Sequence, residues 1–289
     1  MTVVAAPRDA RLPAELLVSA DVRRRAGGEN FSVASLLVGR AAAARLLAIY
    51  DSARLVDELG DAAAGDRLQL LDEAEDELDR AFAGRASAPI FRALEPFIRD
   101  ASPPRDAFLR LIEANRRDQL HPEMATYPEL LDYCFLSANP VGELVLYAFA
   151  AATPERIALS DSICTGLQLV EHWQDVAEDA RNGRIYLPAD DRERFGVTAG
   201  ELTDAHASEA LRGLLELETD RAETLLRAGA PLVSSLRGRA RIAVAGYLGG
   251  GLANVAALRR ARFDVLPGAP KAGRVLRGRH TLLAALGGA

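Results

Sequence analysis

Leu167-Gln-Leu-Val-Glu-His-Trp-Gln-Asp-Val-Ala-Glu-Asp179 has the periodicity of a helix and the composition of a site. Leu167, Leu169, Val170, Trp173 and Val176 supply an apolar body. Gln168, Glu171, Asp175 and Asp179 are separated by three, four and four residues, so at about 100° per residue they form one polar stripe. Carboxylates one turn apart repel each other when both are ionised. A hard divalent cation removes that cost, and magnesium is commonly held by one or two carboxylates together with phosphate oxygens.

A second stripe lies upstream. Tyr50, Arg54, Asp57 and Asp61 are spaced by four, three and four, among Leu46, Leu47, Ile49, Leu55 and Val56. Two carboxylates and a guanidinium on a mostly apolar helix need partners. Facing each other, the stripes would hold two or three magnesium ions around a diphosphate, with Arg54 adding charge-assisted hydrogen bonds. A diphosphate leaves an allylic or cyclopropylcarbinyl carbon well only when its growing charge is neutralised, and the carbocation left behind needs a dry cavity. Long apolar helices can line one, with Tyr133, Phe135 or Tyr186 offering cation–π faces. An isolated Asp-x-x-x-Asp usually marks a solvated face. The acidic run Asp72 to Asp79 lacks apolar flanks and is read as solvated.

Outward from the two stripes the chain reads as helix nearly throughout, rich in Ala, Leu, Arg and Glu with little β-branched alternation. Helices are expected over about 33–59, 67–83, 90–99, 105–119, 129–151 with a kink at Asn139-Pro140, 153–181, 203–227 and 231–260. Arg184 to Pro188 is an extended connector. No linker or repeat divides the 289 residues, so a single all-α domain is expected, with 1–28 and 268–289 flexible or peripheral. A net charge of −6 argues against a nucleic-acid partner. Cys134 and Cys164 sit in apolar helical stretches and form no disulfide or zinc pattern, which points to reduced thiols in the cytoplasm. His121, His172, His206 and His280 are scattered and form no ligand pair. Met1 to Leu17 has no apolar core run of the kind a signal peptide needs. The charge-free stretch Ile242 to Leu258 falls short of about 20 residues and reads as a close-packed core helix.

On these residues the chain resembles the squalene/phytoene synthase family. Tyr50-Asp-Ser-Ala-Arg-Leu-Val-Asp-Glu-Leu-Gly-Asp61 is similar to that family's first aspartate-rich motif, and Leu167 to Asp179, continuing to Gly183-Arg-Ile-Tyr-Leu-Pro188, to its second. Glu29-Asn-Phe-Ser-Val-Ala-Ser35, Asp132 to Gly142 and Arg262-Phe-Asp-Val-Leu266 resemble its N-terminal contact, kinked pocket helix and C-terminal pocket segment. The Glu-Asn-Phe-Ser-Val-Ala-Ser opening and the His-Trp-Gln-Asp-Val run are most like the bacterial hydroxysqualene synthase branch. The resemblance implies an isoprenoid synthase helical bundle around an apolar cavity. It also implies magnesium-dependent ionisation of presqualene diphosphate, with water capture to hydroxysqualene and no NADPH. Carried over by position, Arg54, Asp57, Asp61, Asp175 and Asp179 are the catalytic candidates. Asp57, Asp61, Glu171, Asp175 and Asp179 are the metal candidates. Phe31, Ser32, Tyr50, Tyr133, Gln168, Arg184, Tyr186 and Tyr247 are the substrate-binding candidates.

Three departures stand out. Glu58 replaces the second of two adjacent aspartates, Glu171 stands where the family usually has asparagine, and Gly251 replaces a pocket tyrosine for which Tyr247, one turn earlier, is the candidate substitute. The alternatives are condensation of two farnesyl diphosphates to presqualene diphosphate or squalene, and a non-catalytic isoprenoid-binding protein. The basic tail from Lys271 to Arg279 is open to peripheral membrane contact or to solvation. Oligomeric state is not encoded in these patterns.

Overall fold

A computed structural model describes residues 39–61, 63–120 and 123–287. Phe31 and Ser32, and the start expected for the first helix, lie outside the described residues. In chain order the α-helices are α1 (Arg40–Asp61), α2 (Arg67–Phe82), α3 (Pro89–Ala101), α4 (Arg105–Leu120), α5 (Tyr127–Ser137), α6 (Asn139–Ala148), α7 (Pro154–Gln174), α8 (Val176–Arg181), α9 (Ala189–Phe195), α10 (Glu209–Gly229), α11 (Pro231–Ser235), α12 (Gly238–Arg260) and α13 (Arg274–Leu286). A 3₁₀ turn spans Ala199–Thr203, and among the described residues extended pairing is limited to one isolated bridge, Glu123 with Ile185.

Local chemistry sets the boundaries. Asp66, Thr126, Thr153 and Ser208 cap α2, α5, α7 and α10, each accepting a backbone N–H three residues on. Prolines occupy the first turns of α3, α5, α6 and α7, where a missing N–H costs nothing. The expected kink at Asn139-Pro140 is present: α5 ends at Ser137, Ala138 caps it, and α6 begins at Asn139.

The core falls into two clusters. One gathers α1, α2, α3, α4 and α6 around Leu55, Leu59, Leu71, Leu94 and Phe97. The other gathers α5, α7, α8, α10 and α12 around Leu130, Trp173, Leu214 and Leu248. Trp173 is fully buried, and its indole Nε1 donates to the Glu218 carbonyl of α10 at 3.2 Å, fixing the roll of α7 about its axis. Truncating such a residue costs about 3–5 kcal/mol. At the seam between the clusters α6 crosses α7 closely: a Cβ on Gly142 would overlap Ser160 Oγ and Cys164 Sγ.

Several expectations need correction. The helix expected over 153–181 is interrupted at Asp175 (φ −106°, ψ 15°), and the one expected to start near 203 begins at Glu209. The helix expected over 231–260 is broken after Ser235, and α9 was not anticipated. The acidic run on α2 is not wholly solvated. Glu77 is buried, accepts the Ser87 and Ala88 N–H groups at 2.9 and 2.8 Å, and ties α2 to the start of α3. Its carboxyl is held below the usual range because these hydrogen bonds, with those from Ser87 and Arg80, outweigh the burial that opposes ionisation. Within the tail, helix α13 lies peripherally on α12, with Ala284 alone in it buried. The α12 helix is long and apolar enough to cross a membrane, but more than half of its apolar window is buried inside the fold. It serves as a core helix.

Candidate active site

The two polar stripes meet across one cavity of about 570 Å³. Every described candidate lines it: Tyr50, Arg54, Asp57 and Asp61 from α1, Tyr133 from α5, Gln168 and Glu171 from α7, Asp175 at the bend, Asp179 from α8, Arg184 and Tyr186 from the connector, and Tyr247 from α12. The rest of the wall is largely aliphatic, including Leu46, Ile49, Val145, Ile163, Leu232 and Val244. The cavity therefore has a charged end and a greasy body, the partition that a long apolar chain with an anionic head requires.

The α1 ridge is held from behind. Asn115 of α4 is buried and donates through Nδ2 to Asp57 Oδ1 at 3.2 Å. It reaches that far because Gly60 has no side chain; a Cβ there would overlap the Asn115 amide. Gln119, one turn on, donates to the Gly60 carbonyl at 2.9 Å. Arg184 Nη2 spans to Asp61 Oδ1 at 2.6 Å, joining the connector to the end of α1. Burial works against the Arg184 charge, but the Asp61 hydrogen bond and the surrounding Tyr186, Asp61 and Asp118 raise its pKa above the ordinary arginine value. Arg54 Nε is buried and no protein atom satisfies it. An orphaned guanidinium donor beside carboxylates is what an absent oxyanion would satisfy.

The α7–α8 ridge crowds carboxylates together. The Asp175 carboxyl is pushed up by burial first, then by Asp179 and Glu178, against the pull of Lys271 and His172. A divalent cation would relieve that crowding. Among the described residues no three carboxylate, thiolate or imidazole groups form a ready-made cation site. The donors fit magnesium shared between a few carboxylates and phosphate oxygens, not a closed protein cage.

Between the ridges lies a cluster that the motif spacing does not announce. Asp118 of α4 accepts a hydrogen bond from Tyr133 Oη at 2.8 Å and a longer one from Tyr186 Oη at 3.4 Å. Burial raises its pKa beyond what Tyr133, Arg184 and His172 lower it. The His172 ring stacks on Tyr186 at 3.8 Å, and Gln168 Nε2 lies 3.2 Å from His172 Nε2. The same burial and the neighbouring Asp118 carboxylate push both phenols up, so Tyr133 and Tyr186 stay neutral donors. Leu111, Ala114, Asn115 and Asp118 share one face of α4 and all line the cavity. That stripe was the available signal for Asp118 and Asn115.

The departures have distinct outcomes. Glu171 is exposed at the cavity edge. Gly251 does not line the cavity: a Cβ there would meet Leu167 Cδ2 at 2.7 Å, and Leu167 fills the wall at that point. Tyr247 lines the wall one turn earlier. Phe135, an aromatic considered for the pocket, is half-exposed and stacks under Arg110 instead.

Comparison with known proteins places this geometry. The squalene/phytoene synthase family model matches residues 24–279. The hydroxysqualene synthase of Sinorhizobium fredii is 36% identical over 216 residues, 72% of each chain. That of Zymomonas mobilis is 34% identical over 209 residues, 69% of this chain and 68% of its own. Among solved structures, a squalene synthase from Alicyclobacillus acidocaldarius is 44% identical and superposes with a TM-score of 0.80, covering 87% of this chain and 97% of its own. A dehydrosqualene synthase bound to a ligand shares the fold at a TM-score of 0.83 and 22% identity, covering 92% of this chain and 94% of its own.

Proposed function

Because the chain belongs to the squalene/phytoene synthase family, and is thus an enzyme acting on isoprenoid diphosphates, we propose that it ionises presqualene diphosphate with magnesium and captures the cation with water to give hydroxysqualene. Family membership sets aside a non-catalytic role. The observation that carries the reading is the pair of carboxylate ridges on one largely apolar cavity, with the Arg54 donor of the α1 ridge left unsatisfied.

Asp57 and Asp61 on one side and Glu171, Asp175 and Asp179 on the other are the residues to hold magnesium. A metal held there would neutralise the diphosphate and make it a better leaving group. Arg54 donates to the diphosphate oxygens, and Arg184, oriented by Asp61, adds positive charge at the same end. Asn115 keeps Asp57 aimed across the gap. Tyr133 and Tyr186 are anchored through Asp118, which holds their rings at fixed positions beside the site where positive charge develops. The aliphatic wall keeps bulk water from that charge.

The relatives named hydroxysqualene synthase support this reaction within the family. A second reading, condensation of two farnesyl diphosphates, draws on the neighbour named a squalene synthase. Incubation with presqualene diphosphate and magnesium, with and without NADPH, separates them. Hydroxysqualene formed without NADPH is the expected result. Recovered presqualene diphosphate, with turnover of farnesyl diphosphate instead, favours the second reading.

We place the enzyme in the cytoplasm, resting peripherally on anionic lipid through α13. Val275, Leu282 and Leu286 form an exposed apolar ridge opposite buried Ala284, flanked by Arg274 and Arg279, and the segment after Asp264 carries no acidic residue.

A further inference from the structure

The cavity wall is not uniformly aliphatic beyond the charged end. Ser137, the last residue of α5, lines it, and its hydroxyl oxygen is buried with no protein hydrogen-bond partner. Ser160 and Cys164 of α7 line it as well. Both press on the Gly142 backbone of α6, and the Ser160 hydroxyl lies 4.0 Å from the Cys164 sulfur. Tyr247 faces them from α12, near enough that Cys164 contributes to raising its pKa after burial. Ser137 is one helical turn beyond Tyr133, and Cys164 one turn before Gln168, so each sits about 6 Å along its helix from a residue of the charged end. Cys164 lies about 10 Å along α7 from Glu171.

A buried hydroxyl without a partner is unfavourable and calls for an explanation. Aliphatic packing does not supply one. A single water molecule held by two to four polar groups does. We propose that Ser137 of α5, with Ser160 and Cys164 of α7, seats the one water that captures the carbocation, and so makes the product an alcohol. The inference rests on the reaction proposed above.

The step balances without a redox partner. The water oxygen donates a lone pair to the electron-poor carbon, a C–O bond forms, and the oxonium proton passes to the departed diphosphate. The groups that hold the water are neutral. Burial keeps the Cys164 thiol protonated, with its pKa pushed up to about 11, so no thiolate beside the water competes by removing a proton from carbon. Where the water is not held, proton loss to a diene and rearrangement take over.

The test is product partition from presqualene diphosphate and magnesium in ¹⁸O-water, comparing wild type, Ser137→Ala, Ser137→Thr and Ser137→Ala/Ser160→Ala. Partition is measured among the products formed and so does not depend on how fast each variant turns over. The expected result is ¹⁸O-labelled alcohol as the main wild-type product. The ratio of alcohol to hydrocarbon should fall at least tenfold in the double variant, less in Ser137→Ala, and return in Ser137→Thr, which keeps the hydroxyl. A wild-type alcohol product with an unchanged ratio in the double variant overturns the water seat and leaves the reaction standing. No alcohol from wild type overturns both.

Discussion

Gly60→Ala is a change of one methyl group placed behind the catalytic face. Its new Cβ would overlap Asn115 Oδ1 and approach the Asn115 Cγ and Cβ at 3.0 and 3.1 Å, so the whole side chain must move. Overpacking of this kind costs about 1–3 kcal/mol, and replacing glycine by alanine within a helix returns about 1 kcal/mol. The net loss of about 0–2 kcal/mol leaves the protein folded. What is lost is the Asn115 hydrogen bond to Asp57. A hydrogen bond to a charged group contributes about 1.5–3 kcal/mol, which corresponds to about 10- to 150-fold in kcat/KM if Asp57 must be aimed for turnover. The assay is pyrophosphate release from presqualene diphosphate over a magnesium titration, with a thermal melt by circular dichroism on the same samples. Asn115→Ala removes the same bond without the clash, so it should match Gly60→Ala, and the double variant should be no worse than either single. If both single variants keep kcat/KM within twofold of wild type, Asp57 is not positioned from α4 and the reasoning fails.

Three further outcomes follow from the structure. Glu171→Asn keeps an oxygen ligand for the metal and should hold or raise turnover by up to about fivefold, equivalent to about 1 kcal/mol; abolished turnover would mean that the carboxylate charge of Glu171 is itself required at the metal. Glu218 is fully buried, and burial pushes its carboxyl from 4.5 up to about 8 against the pull of Arg221. The folded state then binds more protons than the unfolded one between those values. Stability should therefore fall as pH rises from about 4.5 to 8, by as much as about 1.4 kcal/mol per pH unit, and level off above; denaturant melts of wild type and Glu218→Gln should differ in that slope, and equal slopes would refute the assignment. Leu282→Asp/Leu286→Asp should lower partition into phosphatidylglycerol vesicles at least about tenfold, given about 1.5–3 kcal/mol for each buried leucine. Wild-type protein that stays in the supernatant with such vesicles would remove α13 as a lipid-facing surface.

The parts of the site that follow helical periodicity were legible in the sequence. Tyr50, Arg54, Asp57 and Asp61, and Gln168, Glu171, Asp175 and Asp179, each form a stripe among aliphatic residues, and both stripes line the cavity. The supporting residues were harder to see. Asp118 and Asn115 lie in Asn115-Arg-Arg-Asp-Gln119, whose polarity looks like a solvated face although its inward side carries both. His172 appeared as an isolated histidine because its partner Tyr186 lies beyond the α8 turn. The interruption at Asp175 has neither proline nor glycine to mark it. Glu77 was masked by the acidic neighbours around it, since composition cannot tell which carboxylate of a run meets the N–H groups of the next helix.

The claim on which the account turns is that ridges more than a hundred residues apart in the chain grip one metal-bound diphosphate. Isothermal titration calorimetry with inorganic pyrophosphate, with and without magnesium, addresses it directly in wild type, Asp57→Ala and Asp175→Ala, each checked for unchanged helicity. The account predicts binding that requires magnesium and is lost in both variants. Binding of equal strength without magnesium, or in variants lacking either aspartate, would contradict it.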